Sequence, residues 1–330
     1  MYLQRAVESL WYGGNRAAIL LVPFAWVFRG LVGLRRLFYV VGVLPVKRVP
    51  VPVIVVGNLT VGGCGKTPLV LWLSDYLRRR GYRPGIISRG YGGGKYQRPQ
   101  QVQPDSDPDS VGDEAVLLAA RSGCPVAVGR QRALAALELV KHEQCDIILS
   151  DDGLQHYALR RDLEIAVIDG DRRFGNGYSL PAGPLREPIS RLARCDIRVA
   201  RGKAGRHEFL MQYRAGRLQS LAGDSTMLLQ ALQGGPVHAV AGIGNPGPFF
   251  SSLRQAGLEI THHIFPDHHR YQQVDFSFAG DGAPIIMTEK DAIKCRRLNL
   301  ARAWYLPIEA QLAEAFVVRF DRLLEEKIRG

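Results

Sequence analysis

Between positions 60 and 67 the chain reads Thr-Val-Gly-Gly-Cys-Gly-Lys-Thr, three glycines set ahead of a lysine and a hydroxyl. Glycines let backbone N–H groups approach a phosphate closely, and a helix beginning there adds its dipole. Lys66 would neutralise the β- and γ-phosphates of a nucleoside triphosphate, and the Thr67 hydroxyl would bind Mg²⁺. Thr60, Val61, Gly62, Gly63, Cys64, Gly65, Lys66 and Thr67 therefore form the candidate cradle for ATP. Thr60 stands where the strict pattern has glycine. A second metal ligand should come from an acid at the end of another strand. Asp151 and Asp152, directly after the apolar stretch 146–150, are in that place. A plain Asp-Gly turn is the competing reading of Asp152-Gly153.

Such a loop works only between a strand and a helix, and both are written around it. Residues 51–56 (VPVIVV) are apolar and β-branched, the form of a buried parallel strand. Pro68 suits a helix's first turn, and the amphipathic stretch 69–80 stops at Gly81. Strands near 51–56, 85–88, 125–128, 146–150, 164–169 and 196–200 alternate with helices. This predicts an α/β fold, a P-loop NTPase-like three-layer sandwich with a mainly parallel sheet. Strands near 236–241, 259–264, 284–288 and 303–307 predict a smaller second α/β unit. The expected division is 1–48 membrane-associating, 49–205 P-loop domain and 206–330 closure domain, with 97–110 a polar loop.

The 330 residues, 46% of them hydrophobic and 22% charged, can bury a core large enough for two domains. A formal net charge of +12 favours anionic partners: nucleic acid, phospholipid headgroups or phosphorylated substrates. Five cysteines without a C-x-x-C pair suit a reducing cytosol. Near the N-terminus, 17–28 and 37–44 are apolar, with Arg29, Arg35 and Arg36 between or beside them. The first run reaches about 18 Å as a helix, short of a bilayer core of about 30 Å. Joining the runs would bury arginines at about 2.5–3.5 kcal/mol each. Arginines among apolar blocks, with Trp11, Tyr12 and Trp26, suit a helix lying in a membrane interface. A helix packed on the protein's own core is the other reading.

The motifs VPVIVVGNLTVGGCGKTP (51–68), SRGYGG (88–93), VGDEA (111–115), DDGLQH (151–156), LPAGPLRE (180–187), AGIGNP (241–246), FPDHHRY (265–271) and TEKDAIK (288–294) occur in this order behind the apolar, basic N-terminus. Together they make the chain resemble the tetraacyldisaccharide 4'-kinases over nearly its whole length. The resemblance implies transfer of the ATP γ-phosphoryl group to the 4'-hydroxyl of an acylated glucosamine disaccharide phosphate, a lipid A precursor. It implies work at the cytoplasmic face of the bacterial inner membrane, with no obligate protein partner. Thr60 matches this family's form of the loop, whereas Cys64 replaces a small hydroxyl residue.

Asp113 opens an apparent helix, where the macrodipole favours an acid without any catalytic duty. The resemblance instead assigns it to deprotonating the sugar hydroxyl, an acceptor that kinases need near the γ-phosphate. The family pattern favours His268 as its support, with His269 close behind, and this requires the second domain to close on the first. The cleft between domains is then the expected substrate site. Arg89 and Tyr91 look like substrate contacts and Glu187 like a further acidic group, while Lys290 and Asp291 are read as holding the second domain together. Two other function classes compete. A membrane-bound NTPase switch of the GTPase kind would want an N/T-K-x-D motif, and TEKD has its lysine one place late. A nucleic-acid-binding NTPase would use the charge but leaves the apolar N-terminus unexplained and shows no array of stacking aromatics.

Overall fold

The computed structural model describes residues 2–94 and 97–329. In chain order the strands of the first half are β1 Val53–Gly57, β2 Pro84–Ser88, β3 Gln100–Val102, β4 Val126–Val128, β5 Ile147–Ser150, β6 Leu163–Asp169, β7 Ile197–Arg201 and β8 Phe209–Ala215. Then follow β9 Leu218–Ser220, β10 Thr226–Met227, β11 Pro236–Ala241, β12 Glu259–Ile264, β13 Ile285–Thr288, β14 Ala303–Leu306 and β15 Ile308–Leu312. The α-helices are α1 Tyr2–Tyr12, α2 Val22–Val40, α3 Lys66–Arg79, α4 Pro108–Val111, α5 Asp113–Ser122, α6 Arg132–His142, α7 Gly247–Gln255, α8 Glu289–Cys295 and α9 Glu314–Leu324.

A nine-stranded sheet has the order β15-β8-β7-β6-β1-β5-β2-β4-β3. Only its two edges, β3 against β4 and β15 against β8, pair antiparallel. Pleating sends Ile54 and Val56 into a core with Leu69, Leu73 and Leu77 of α3, Leu118 of α5 and Phe316 and Phe320 of α9. Val53 and Val55 face the other way, against Ala133, Ala136 and Leu139 of α6. Two helical layers around one sheet are the expected sandwich.

A six-stranded sheet, β10-β9-β14-β13-β11-β12, carries its own cores. The sequence placed all of 206–330 in this second unit, and the topology divides it differently. β8 and β15 extend the large sheet, and α9 stacks Phe316 and Phe320 edge-on against Trp72 and Tyr76 of α3. The C-terminal segment therefore returns to the first unit, because its apolar face is what covers α3. The polar stretch 97–110 also holds more than a loop: β3 is an exposed edge strand with no alternation to betray it, and α4 follows.

At the N-terminus, helical residues 16–40 form one continuous stretch of mean hydropathy 2.0 over its most apolar window, of which 11% is buried. The first apolar run and the start of the second, 37–40, thus lie in one helical segment. Its α2 part alone spans about 28 Å. Leu20, Phe24, Trp26, Val27 and Leu31 are exposed, so the helix is not packed on the protein's core. Trp11 and Tyr12, expected at headgroup level, instead dock on the protein. The Trp11 indole donates to the Pro181 carbonyl at 3.0 Å, and Arg172 lies 5.1 Å over the Tyr12 ring.

Candidate active site

Parallel pairing of β1 with β5, Val55 opposite Ser150, sets the glycine loop and the two acids side by side at the C-terminal ends of neighbouring strands. The loop turns into α3 at Gly65, whose φ of +98° only glycine adopts without strain. A Cβ there would also stand 2.2 Å from the Tyr213 hydroxyl, so the loop closes directly onto β8. Thr60 bridges Leu185, and the Val61 N–H donates to the Pro184 carbonyl at 2.8 Å, tying the loop to LPAGPLRE. Asn58 spans the loop from within, donating to Thr60 Oγ1 and to the Gly62 carbonyl at 3.4 Å each. Cys64 is buried in the core and Gly62 and Gly63 are exposed, while Thr67 is half-buried.

Lys66 donates to Asn58 Oδ1 at 3.3 Å and lies 3.5 Å from Asp152. Asp152 is also gripped by Arg186 Nη1 at 2.9 and 3.1 Å. Burial would raise the Asp152 carboxyl, but Lys66 and Arg186 hold it well below the usual range. Its neighbour has the opposite surroundings. Both Asp151 oxygens are buried with no hydrogen-bond partner among the described residues. Burial, reinforced by the Glu114 charge, pushes that carboxyl up to about 7. An orphaned buried carboxylate beside a phosphate loop fits a divalent cation that this chain's residues would share with a nucleotide. Asp152 takes φ +46°, a left-handed conformation uncommon for a non-glycine residue, in the turn that separates the two acids.

The second cluster is assembled from both sheets. Asp113 opens α5 but is not its cap: Gly112 holds that position, at φ +93°. A Cβ on Gly112 would stand 2.6 Å from the Tyr91 carbonyl, so this glycine lets SRGYGG pack on VGDEA. The Glu114 N–H donates to Asp113 Oδ1 at 2.8 Å. The other oxygen lies 3.0 Å from His268 Nδ1, in the loop after β12, and 3.7 Å from Lys290 Nζ on α8. Burial would raise the Asp113 carboxyl, but the His268 hydrogen bond and Lys290 bring it below the usual range. The bond to Asp113 in turn raises His268. His268 stands at φ +59°, a strained conformation kept by its surroundings.

Adjacent histidines do separate work. His269 Nε2 pairs with Asp275 at 2.9 Å and stacks on Phe265, inside its own unit. Only His268 reaches Asp113. The Tyr91 ring lies 5.1 Å from His268, and Arg89 is exposed at the end of β2. Glu187 is buried and accepts from Gln155 Nε2 at 3.0 Å and from the Tyr157 hydroxyl, which makes it a brace for the 151–157 turn. Asp291 accepts from the Gly242 N–H at 2.9 Å and Thr288 at 2.6 Å, within the second unit as expected. Lys290 goes further: it bonds Asp267 within the second unit and also crosses to α5. Sequence reasoning passed over Asn58, Arg186 and Glu114 as well, although each lies inside one of the motifs and could have been found from that.

This arrangement can hold a triphosphate against Lys66, place a cation at Asp151 and present an ionised carboxylate to a hydroxyl. Comparison with known proteins gives a consistent picture. Residues 17–325 match the model of the family described as LpxK, tetraacyldisaccharide-1-P 4'-kinase. The chain is 49% identical to the tetraacyldisaccharide 4'-kinase of Nitrosococcus oceani, covering 96% of this chain and 93% of that one. It is 50% identical to that of Methylobacillus flagellatus, over 98% of both. Among solved structures it resembles LpxK from Aquifex aeolicus in complex with ATP, with a TM-score of 0.78 and 28% identity over 94% of this chain and 99% of that one.

Proposed function

The chain belongs to the tetraacyldisaccharide-1-P 4'-kinase family, and from that premise we propose how its residues divide the reaction. It is an ATP-dependent kinase that phosphorylates the 4'-hydroxyl of a tetraacyl glucosamine disaccharide 1-phosphate in lipid A biosynthesis. Membership in this family favours a kinase over a nucleotide-hydrolysing switch.

In our reading Asp113 takes the proton from the 4'-hydroxyl. The freed oxygen bonds to the γ-phosphorus as the bond to the β,γ-bridging oxygen breaks, and ADP leaves with that electron pair. Lys66 neutralises charge that grows on the phosphate oxygens, where a fixed cation is worth most. Asp152 and Asn58 aim Lys66, and Arg186 locks Asp152. Mg²⁺, when bound, would screen the β- and γ-phosphates, and Thr67 and Asp151 are the residues that would hold it. His268 orients Asp113 and keeps it ionised. Arg89 and Tyr91, at the mouth of the cleft, are suited to the sugar and its phosphate.

The observation that carries this reading is the 3.0 Å contact of Asp113 with His268, joining the two units over one cleft. A lipid substrate entails membrane association, and we assign the anchor to the exposed apolar helix 16–40, on the cytoplasmic side where ATP is supplied. The test uses γ-labelled ATP with lipids extracted from bacterial inner membranes. Label should enter a glycolipid, and Asp113→Asn should stop it while ATP still binds. Release of free phosphate alone would overturn the acceptor, and unimpaired transfer by Asp113→Asn would overturn the base.

A further inference from the structure

Lys290 is an amine enclosed by carboxylates. Its side chain is 14% exposed, and Nζ lies 3.2 Å from Asp267, 3.3 Å from Glu114 and 3.7 Å from Asp113. These acids come from α5 and from the loop after β12, so one cation joins three segments of chain. The base of Lys290 is itself fixed. Thr288 caps α8 by accepting from the Asp291 N–H, and Asp291 anchors that turn to Gly242. One residue earlier, Glu289 pairs with Arg121 at the far end of α5.

We propose that Lys290 is a positioning residue for phosphoryl transfer, holding Asp113 ionised and aimed at the acceptor hydroxyl when the two sheets close together. The inference rests on the reading of Asp113 as base. Asp113 faces His268, Lys290 and, farther away, Lys294 as cations, with Glu114 and Asp267 as neighbouring anions. Without Lys290, three carboxylates would crowd one histidine. Like charges that close do not all stay ionised, and the most buried acid, Asp113, would take up a proton first. A protonated Asp113 cannot accept one from the sugar. An opposite charge within about 4–6 Å lowers a carboxyl pKa by roughly 1–3 units, enough to set the acid limit of turnover.

The test compares pH profiles of kcat for the full chain with ATP and lipid substrate. Lys290→Met should lower kcat about tenfold or more near neutral pH and move the acid limb up by at least about 1 pH unit, with KM for ATP little changed. Lys290→Arg, which keeps the cation, should restore the limb. Arg121→Ala breaks the neighbouring pair between the same two helices and should leave the limb in place. An unmoved limb in Lys290→Met, or an equal movement in Arg121→Ala, overturns the proposal while leaving the base reading intact. If Asp113→Asn proves fully active, both fail together. Should Lys290→Met not fold, Lys290→Gln, whose amide can still donate to the acids, carries the same comparison.

Discussion

The two clusters of candidate site residues are built on different principles. The phosphate side belongs to one sheet: Lys66 follows β1, Asp151 and Asp152 follow β5, and these strands are hydrogen-bonded neighbours. The acceptor side is composite. Asp113 comes from the large sheet's unit, while His268 and Lys290 come from the other. The proposed nucleotide contacts thus depend on the pairing of β1 with β5, in the middle of the large sheet. The proposed base, Asp113, meets His268 and Lys290 only where the two units join. Binding of ATP and activation of the hydroxyl are therefore separable, and substitutions should separate them.

The largest effect should come from Asp113→Asn. Its amide still accepts from the Glu114 N–H but cannot take a proton, so kcat should fall about 10²–10⁴-fold, the usual worth of a positioned base. ATP affinity, read by titration, should hold. Lys66→Ala should cost about 10²–10³-fold in kcat by leaving developing phosphate charge unneutralised. Unlike the first variant it should weaken ATP binding too. Equal profiles for both variants would erase the distinction between the two sides. His268→Ala should lower kcat about tenfold or more, and the double variant with Asp113→Asn should lose less than the product of the two losses. Multiplicative losses in steady-state assays would mean that the pair does not act as a unit.

A smaller effect concerns stability. His268 is raised, so its contribution is complete below its ordinary value of about 6.5 and is lost as pH rises through the folded value. Asp113 is lowered, so its contribution is present above about 4 and is lost as pH falls through the folded value. The pair, faced also by Lys290, Lys294, Asp267 and Glu114, should stabilise most between those limits. Denaturant titrations should show wild type exceeding His268→Ala by about 1–2 kcal/mol near pH 5, with a narrower gap near pH 9. A gap that widens with pH would contradict the assigned direction. The smallest effect on chemistry should follow Leu20→Glu with Trp26→Glu, two exposed positions on the proposed anchor. Flotation with anionic vesicles should drop while ATP binding in solution stays unchanged.

Much of this was readable from residue order alone. A β-branched run, three glycines, Lys-Thr and an amphipathic stretch define β1, the phosphate loop and α3 because each signal is local and the parts are contiguous. Strands β11 and β12 fall at the expected positions, 236–241 and 259–264. Elements without a local signal did not emerge: β3 is a polar edge, β8 and β15 join the large sheet by pairing distant in sequence, and α9 packs on the face of α3. The N-terminal helix shows the same limit: its continuity from 16 to 40 is set by the backbone, whereas in the sequence Arg29 and Arg35 interrupt the apolar runs.

Residue types in order determined that this chain cradles a triphosphate, and the ordered motifs determined its family. Only the tertiary structure decided what surrounds each acid. Asp151 and Asp152 are identical in type and adjacent, yet one is orphaned in the interior and the other held by Lys66 and Arg186. His268 and His269 are equally alike, yet one turns to Asp113 and the other to Asp275. A side chain's charge state and partner depend on burial and on neighbours distant in sequence, and those are set when the two sheets pack together.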